Sequence, residues 1–167
     1  ENGEACSTCV VDCGACPPVC GDGVCDTGES CEGCSTDCGV CPPPPAAGTG
    51  TIGYWKNHAD AWPVEQLSIG GVVYSKAQLI NIIANPIKGD VTYTIAAQLI
   101  AAKLNVGIGN VSTCIQSTIA AADAWLVQNK LGSHVKGNSS AWKNGGSALK
   151  DTLDAYNNGL LCAPHRG

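Results

Sequence analysis

The chain has 167 residues, of which 44% are apolar and 14% are charged, a composition that permits a packed core and excludes general disorder. Its formal charge of −5 argues against a nucleic-acid-binding protein, which would need a basic face and a basic balance. Its apolar runs fall far short of the roughly 20 residues that a membrane span needs, so no membrane span is predicted.

Charge and cysteine are distributed unevenly along the chain. Residues 1–50 hold eight acidic residues and no Lys or Arg, a charge of −8, whereas residues 51–167 hold six acidic and nine basic residues, a charge of +3. Ten of the twelve cysteines also lie in the first segment, which has no Leu, Ile or aromatic residue. Because this segment offers too little apolar area to offset chain entropy, we expect cross-links to stabilise it.

An internal repeat occupies the cysteine-rich segment. Residues 6–18 and 31–43 both read CxxCxxDCGxCPP, and the second unit begins earlier, with CGDGVCDTGES over residues 20–30. The first unit lacks that beginning, which predicts that a longer precursor carries it. The sequence therefore predicts disulfide-rich acidic repeats over residues 1–41, a Pro/Gly/Thr linker over 42–51 and a globular domain over 52–167.

The repeated CxxC pairs fit either disulfides or zinc. Zinc half-sites usually stand further apart than three residues, and zinc thiolate sites belong mainly to reducing compartments, so we favour disulfides. The sequence leaves open how the ten cysteines of this segment pair: Cys6, Cys9, Cys13, Cys16, Cys20, Cys25, Cys31, Cys34, Cys38 and Cys41. In the remainder, the two cysteines Cys114 and Cys162 predict one bridge, the alternative being two buried thiols.

The globular domain opens with an aromatic segment over residues 52–63, followed by a predicted hairpin over 67–74. Its aromatic side chains fit either core packing, which we favour, or an exposed platform. Gly70 and Gly71 would supply the positive φ angles that a two-residue hairpin turn requires.

Four helices are predicted after the hairpin. The first follows a capping box at Ser75–Gln78 and ends near residue 85, and the second begins at Asp90 or Thr92 and ends at Gly107. The third is predicted over about residues 112–130, and the fourth from near residue 147 to 159. The fold class is therefore small disulfide-rich N-terminal repeats plus a mainly α-helical C-terminal domain with about four helices and a small β-hairpin.

Few residues suggest a chemical site. Asp22, Asp26 and Glu29 lie in a Gly-rich stretch and could bind calcium, but we favour the alternative that these acids keep a disulfide knot soluble, because the EF-hand spacing is not met. The three histidines are scattered, no catalytic motif occurs, and no catalytic residue or cofactor other than calcium is predicted. Asn110 and Asn138 lie in glycosylation sequons, while Thr49 and Thr51 are candidates for O-glycosylation.

Three segments of the globular domain are distinctive: GTGTIGYWKNH with AWP over residues 48–63, IAAKLN over 100–105, and LDAYNNG with PH over 153–165. In these segments, residues 48–167 resemble an uncharacterised domain of secreted and cell-surface bacterial proteins. The N-terminal repeat resembles the CGDGxCDxGExCxxCxxDC modules of bacterial surface proteins, which act as spacers. This resemblance implies an exported bacterial protein and implies no activity.

The sequence thus favours a non-enzymatic, extracellular structural protein that assembles head-to-tail into a surface filament, fibre or matrix. Its partners would be further copies of the same chain, joined through the acidic arm and the helical head. The alternatives are a cell-surface adhesin that binds glycan through Tyr54, Trp55, Trp62 and Trp142, and an exported calcium-dependent hydrolase.

Overall fold

The computed structural model describes residues 19–26, 28–31, 33–39 and 48–166. The chain divides into two compact units, Glu1–Pro44 and Pro45–Gly167, named below the cysteine-rich unit and the helical unit. The described residues form six α-helices and one two-stranded antiparallel hairpin, and disulfides occur in the N-terminal region, so the predicted fold class is confirmed. Within this part of the chain, none of the helices combines the length and apolar character needed to cross a bilayer.

The described part of the cysteine-rich unit is organised around disulfides. Helix α1, Ser35–Cys38, is a single turn that follows Cys34, whose side chain is 3% exposed. Disulfides join Cys20 to Cys34 and Cys25 to Cys38, so both ends of this turn are tied to the preceding loop. Covalent bonds take the place of an apolar core in a segment that has almost no large apolar side chains.

The helical unit begins with a short helix that periodicity does not predict. Helix α2 spans Ile52–Asn57 and is capped by Thr51, whose side chain accepts a hydrogen bond from the backbone N–H of Tyr54. A single 3-10 turn over Ala59–Ala61 follows. These elements are too short to show a helical repeat of apolar residues, so their sequence alone looks like a loop with aromatic residues.

The predicted hairpin and first long helix are confirmed almost residue for residue. Strands β1, Gln66–Ile69, and β2, Val72–Ser75, pair antiparallel, and the φ angles of Gly70 and Gly71 are 58° and 78°. Helix α3, Lys76–Ala84, begins at the predicted capping box.

Helix α4, Val91–Gly107, is the centre of the helical unit. It packs against α2, β1, α3 and the two helices that follow it in the chain. Apolar side chains are buried on all its sides, as expected for a helix surrounded by other elements. The fully buried apolar residues of this helix are Ile95, Ala96, Leu99, Ile100, Ala101, Ala102 and Leu104.

The last two helices are shorter than predicted. Helix α5 spans Gln116–Gln128, and it is preceded by a turn in which the carbonyl of Ser112 accepts the N–H groups of both Ile115 and Gln116. Helix α6, Ser147–Asn157, follows a kinked segment over Trp142–Gly146, in which Asn144 and Gly145 have non-helical backbone angles. A Cβ on Gly146 would lie 2.7 Å from the ring of Trp142, so the close packing of this segment requires glycine.

One buried amide connects three separate parts of the helical unit. The Oδ1 atom of Asn105 accepts hydrogen bonds from the N–H of Gly50 at 2.7 Å and from Nε1 of Trp55 at 3.0 Å. Its Nδ2 donates to the carbonyl of Gly50 and to Oδ1 of Asn157, both at 2.9 Å. Asn157 in turn donates to the backbone and side-chain oxygens of Gln98. Asn105 is therefore fully satisfied while fully buried.

The two ends of the described helical unit meet beside this network. The N–H of Thr49 donates to the carbonyl of Pro164 at 2.8 Å, and the N–H of Arg166 donates to the carbonyl of Thr49 at 3.2 Å. Thr49 and His165 thus form a parallel β-bridge. A Cβ on Gly48 would lie 2.5 Å from the backbone nitrogen of Arg166, so only glycine allows this approach. Residues 48–50 are buried, and they belong to the packing of the helical unit although the sequence places them in the linker.

Replacement of Asn105 by Ala should lower the free energy of unfolding by at least ~3 kcal/mol. The change leaves the polar groups of Gly50, Trp55 and Asn157 buried without their partner, and each such group costs about 1–3 kcal/mol. Asn81→Ala is the control, since Asn81 is exposed on α3 and accepts only an exposed side-chain bond from Asn85. Its expected effect in chemical denaturation is within about 0.5 kcal/mol. Equal losses in both variants would contradict this account.

A second prediction concerns Asp90, the N-cap of α4. Burial raises the pKa of Asp90, but hydrogen bonds from Thr92 and from the N–H of His134 outweigh that effect and hold the pKa below its ordinary value. The charged form is therefore favoured in the folded state. Its contribution is present above the unfolded-state pKa and is lost as pH falls through the folded-state pKa.

Asp90→Asn should accordingly destabilise the protein by about 1 kcal/mol near neutral pH, and the difference from wild type should shrink in acid. Urea denaturation at a series of pH values measures both curves. A gap between wild type and variant that stays constant as pH falls would show that ionisation of Asp90 contributes nothing.

Candidate functional site

A loop of the cysteine-rich unit is built around one carboxylate. Asp37 accepts hydrogen bonds from three successive backbone N–H groups, those of Gly21, of Asp22 at 3.2 Å and of Gly23 at 3.0 Å. The two glycines have φ angles of 104° and 85°, which allow these N–H groups to converge. Asp37 therefore fixes the CGDG loop. Sequence reasoning missed this role, although Asp12 and Asp37 occupy equal positions in the repeat.

The cysteine chemistry of the described residues is that of disulfides. Cys20, Cys25, Cys31, Cys34 and Cys38 are all disulfide-bonded, whereas Cys6, Cys9, Cys13, Cys16 and Cys41 lie outside the described residues. In the part of the chain that the structure describes, one cluster contains three residues of the kinds that bind metals. These residues are Cys20, Cys34 and Asp37, and their potential ligand atoms lie within 4.8 Å of one another. Because the two sulfurs are bonded to each other, neither is a thiolate that could bind zinc.

The acids considered for calcium serve local turns. Asp22 accepts the N–H of Val24 at 2.9 Å, and Glu29 accepts the N–H of Asp26 at 3.3 Å. Across residues 19–26, 28–31 and 33–39, Asp22, Asp26 and Glu29 do not form a three-ligand group. Calcium binding there stays a prediction.

The three histidines lie in different surroundings of the helical unit. His58 has Nδ1 2.9 Å from the carbonyl of Tyr54, and its ring stacks on the ring of Tyr54. His134 has a positive φ of 61° in a loop next to Asp90, and His165 forms the bridge with Thr49. Nothing in the described residues brings them into one cluster with carboxylates or sulfur.

The aromatic residues are mostly packed rather than displayed. Trp55 and Trp62 are 0% and 6% exposed, their rings meet edge to face, and Nε1 of Trp62 donates to the carbonyl of Trp55. The ring of Trp142 packs edge-on against Trp125. The guanidinium of Arg166 lies 3.9 Å from the centre of the Tyr54 ring. The rings of Trp55 and Trp62 are therefore closed to a glycan, whereas Tyr54 and Trp142 are half-buried.

The four candidate glycosylation residues differ in how far their side chains are exposed. Asn110 is 4% exposed, and its Nδ2 donates to the carbonyls of Gly48 and Asn105, so the folded unit offers no amide there for a glycan. Thr49 is fully buried, with its hydroxyl directed to the carbonyl of Pro164. Thr51 is half-buried and caps α2, whereas Asn138 is exposed in a turn.

A disulfide joins Cys114 to Cys162, the pair that the cysteine count indicates, with a Cα–Cα distance of 5.9 Å. It connects the turn before α5 to the segment after α6. Nearby, the hydroxyl of Tyr156 donates to the carbonyl of Val111, and burial raises the pKa of Tyr156 to about 12. That phenol therefore stays protonated at neutral pH.

An open groove of about 410 Å³ lies between β1, α4 and α5. The ammonium of Lys103 at its edge forms an ion pair with Asp123 at 2.5 Å and donates to the carbonyl of Ser68. The other lining residues are Leu67, Val106, Gln116, Ile119 and Ala120. Both charged groups are already engaged in holding the hairpin against the helices.

Comparisons with family models, with curated proteins and with solved structures found no match for this chain.

Replacement of Asp37 by Ala should increase hydrogen exchange at the amides of Gly21 and Gly23 by about tenfold, because these N–H groups lose their acceptor. Asp26→Ala is the matched control, since it removes a carboxylate from the same unit without removing that acceptor. Exchange measured by NMR on the oxidised protein separates the two variants. Unchanged exchange in Asp37→Ala would contradict the assigned role.

Proposed function

We propose that this protein is an extracellular structural protein, a subunit of a surface filament, fibre or matrix. Assembly would proceed head-to-tail through the acidic cysteine-rich arm of one copy and the helical head of the next. The observation that carries this proposal is the separation of charge, −8 in residues 1–44 and +3 in residues 45–167. A contact between two different surfaces that does not close on itself generates a filament.

The cross-linking of the described residues supports an exported material. Disulfides occur in both units and indicate an oxidising environment. In the cysteine-rich unit they replace an apolar core, and in the helical unit they reinforce one. Location at the cell surface and assembly into a polymer are our proposals on this basis.

We further propose a non-catalytic role. The buried polar side chains of the helical unit, among them Gln98, Asn105 and Asn157, are engaged in hydrogen bonds that hold the fold together. The adhesin alternative loses its main support because the rings of Trp55 and Trp62 are buried. The calcium-dependent hydrolase has no particular observation in its favour.

We also propose that residues 48–167 belong to the secreted bacterial domain type that the sequence resembles. The three segments that carry the resemblance supply the members of one hydrogen-bond network: Gly50 and Trp55 come from the first, Asn105 from the second and Asn157 from the third. A shared network gives a physical reason for these segments to occur together.

The purified oxidised protein should form filaments at low ionic strength, with the polymer fraction falling as salt rises. Screening explains the direction, since the Debye length shortens from about 10 Å at 0.1 M to about 3 Å at 1 M salt. Negative-stain electron microscopy and sedimentation at several salt concentrations measure the effect. Dispersed monomers in every condition would overturn the proposal.

A further inference from the structure

Two neighbouring loops and the segment Trp142–Gly146 carry four of the nine basic residues of the helical unit. Four exposed lysines lie in these loops and the turn that follows, and together they define the basic face: Lys88, Lys130, Lys136 and Lys143. Elsewhere in the described helical unit, Lys76, Lys103 and Lys150 form ion pairs with carboxylates, Arg166 lies over the ring of Tyr54, and Lys56 is exposed on α2. For the four lysines of the basic face, no carboxylate within residues 48–166 lies close enough for an ion pair.

Hydrogen bonds to the start of α4 hold these loops together. The N–H of Val91 donates to the carbonyl of Val135 at 2.9 Å, and the N–H of Gly132 donates to Oγ1 of Thr92 at 3.1 Å. The Nζ atom of Lys136 lies 3.8 Å from the point where a Cβ on Gly89 would be, which places it beside Lys88. These bonds therefore bring Lys88 and Lys136 close together, and Lys130 lies in the same loop region as Lys136.

The acid within these loops does not neutralise that surface. Asp90 is 3% exposed, its Oδ1 accepts from Thr92 and its Oδ2 accepts from the N–H of His134. The two loops, residues 85–90 and 129–138, therefore carry exposed lysines and no exposed carboxylate. The basic face needs an anionic partner for compensation.

The cysteine-rich unit is acidic and therefore needs a cationic partner to compensate its charge. It contains eight acidic residues and no basic residue, and every Lys and Arg of the chain lies at position 56 or later. Asp22 and Asp26 are exposed in its described loops. Nucleic acid is a poor alternative partner for the basic face, because the whole chain has a charge of −5.

We propose that the basic face binds the acidic cysteine-rich unit of a second copy of this chain. The inference rests on the proposed assembly and assigns the surface that receives the arm. Each copy carries one face and one arm, so every added copy leaves one of each free for the next.

The test combines two lysine variants of equal charge in the full-length oxidised protein. K88Q/K130Q/K136Q removes three charges from the basic face, and K56Q/K76Q/K150Q removes three from other parts of the helical unit. Self-association measured by sedimentation should weaken about tenfold in the first variant and less than about twofold in the second. Thermal melts check that both remain folded. D22N/D26N, on the arm, should weaken association in the same direction.

Carbodiimide cross-linking of an equal mixture of ¹⁴N- and ¹⁵N-labelled chains locates the contact. Mass spectrometry should find mixed-isotope peptides that join lysines of the basic face to acids of the cysteine-rich unit. Assembly by wild type and by both lysine variants alike would overturn this inference and leave the proposed function standing. Wild-type protein that stays monomeric and gives no mixed-isotope peptides would overturn both. Single-isotope cross-links alone would also overturn the contact between copies, and association abolished by EDTA would overturn a direct contact between lysines and carboxylates.

Discussion

The helical unit depends on the side-chain amide of Asn105. This residue lies on the most deeply buried helix, yet all four of its hydrogen-bonding positions are used, by Gly50, Trp55 and Asn157. An apolar residue at that position would leave those partners buried and unpaired. The network is therefore stabilising only when complete, and it specifies how the first residues, the central helix and the last helix meet.

The parts of the fold that follow from local sequence were predictable. The capping box at Ser75, the Gly70–Gly71 turn and the periodic apolar residues of α4 each act within a few residues of chain. The late start of the third predicted helix, at Gln116 instead of Ser112, was not predictable in this way, since the turn at residue 112 lies next to a disulfide that spans 48 positions. Non-local constraints of this kind leave no periodic signal.

The features of the candidate functional surfaces were also predictable only in part from the sequence. The charge separation was evident from the sequence, but the proximity of Lys88 and Lys136 was not, because bonds between distant loops bring them together. The structural roles of Asn105 and Asp37 were also not predicted. The residue type alone does not show whether an amide or a carboxylate is exposed to water or holds a loop through hydrogen bonds. The burial that distinguishes these cases arises only in the folded chain.

The parallel bridge between Thr49 and His165 bears on how the helical unit would respond to mechanical force. If the chain is pulled at residues 48 and 166, the segment that contains Thr49 and the segment that contains His165 are drawn in opposite directions along their length. The bonds between Thr49, Pro164 and Arg166 would then be stressed together in shear instead of opening one after another. Simultaneous rupture raises the barrier to forced unfolding, which is a rate-governed property. A tensile module would gain resistance from this arrangement without any increase in its equilibrium stability.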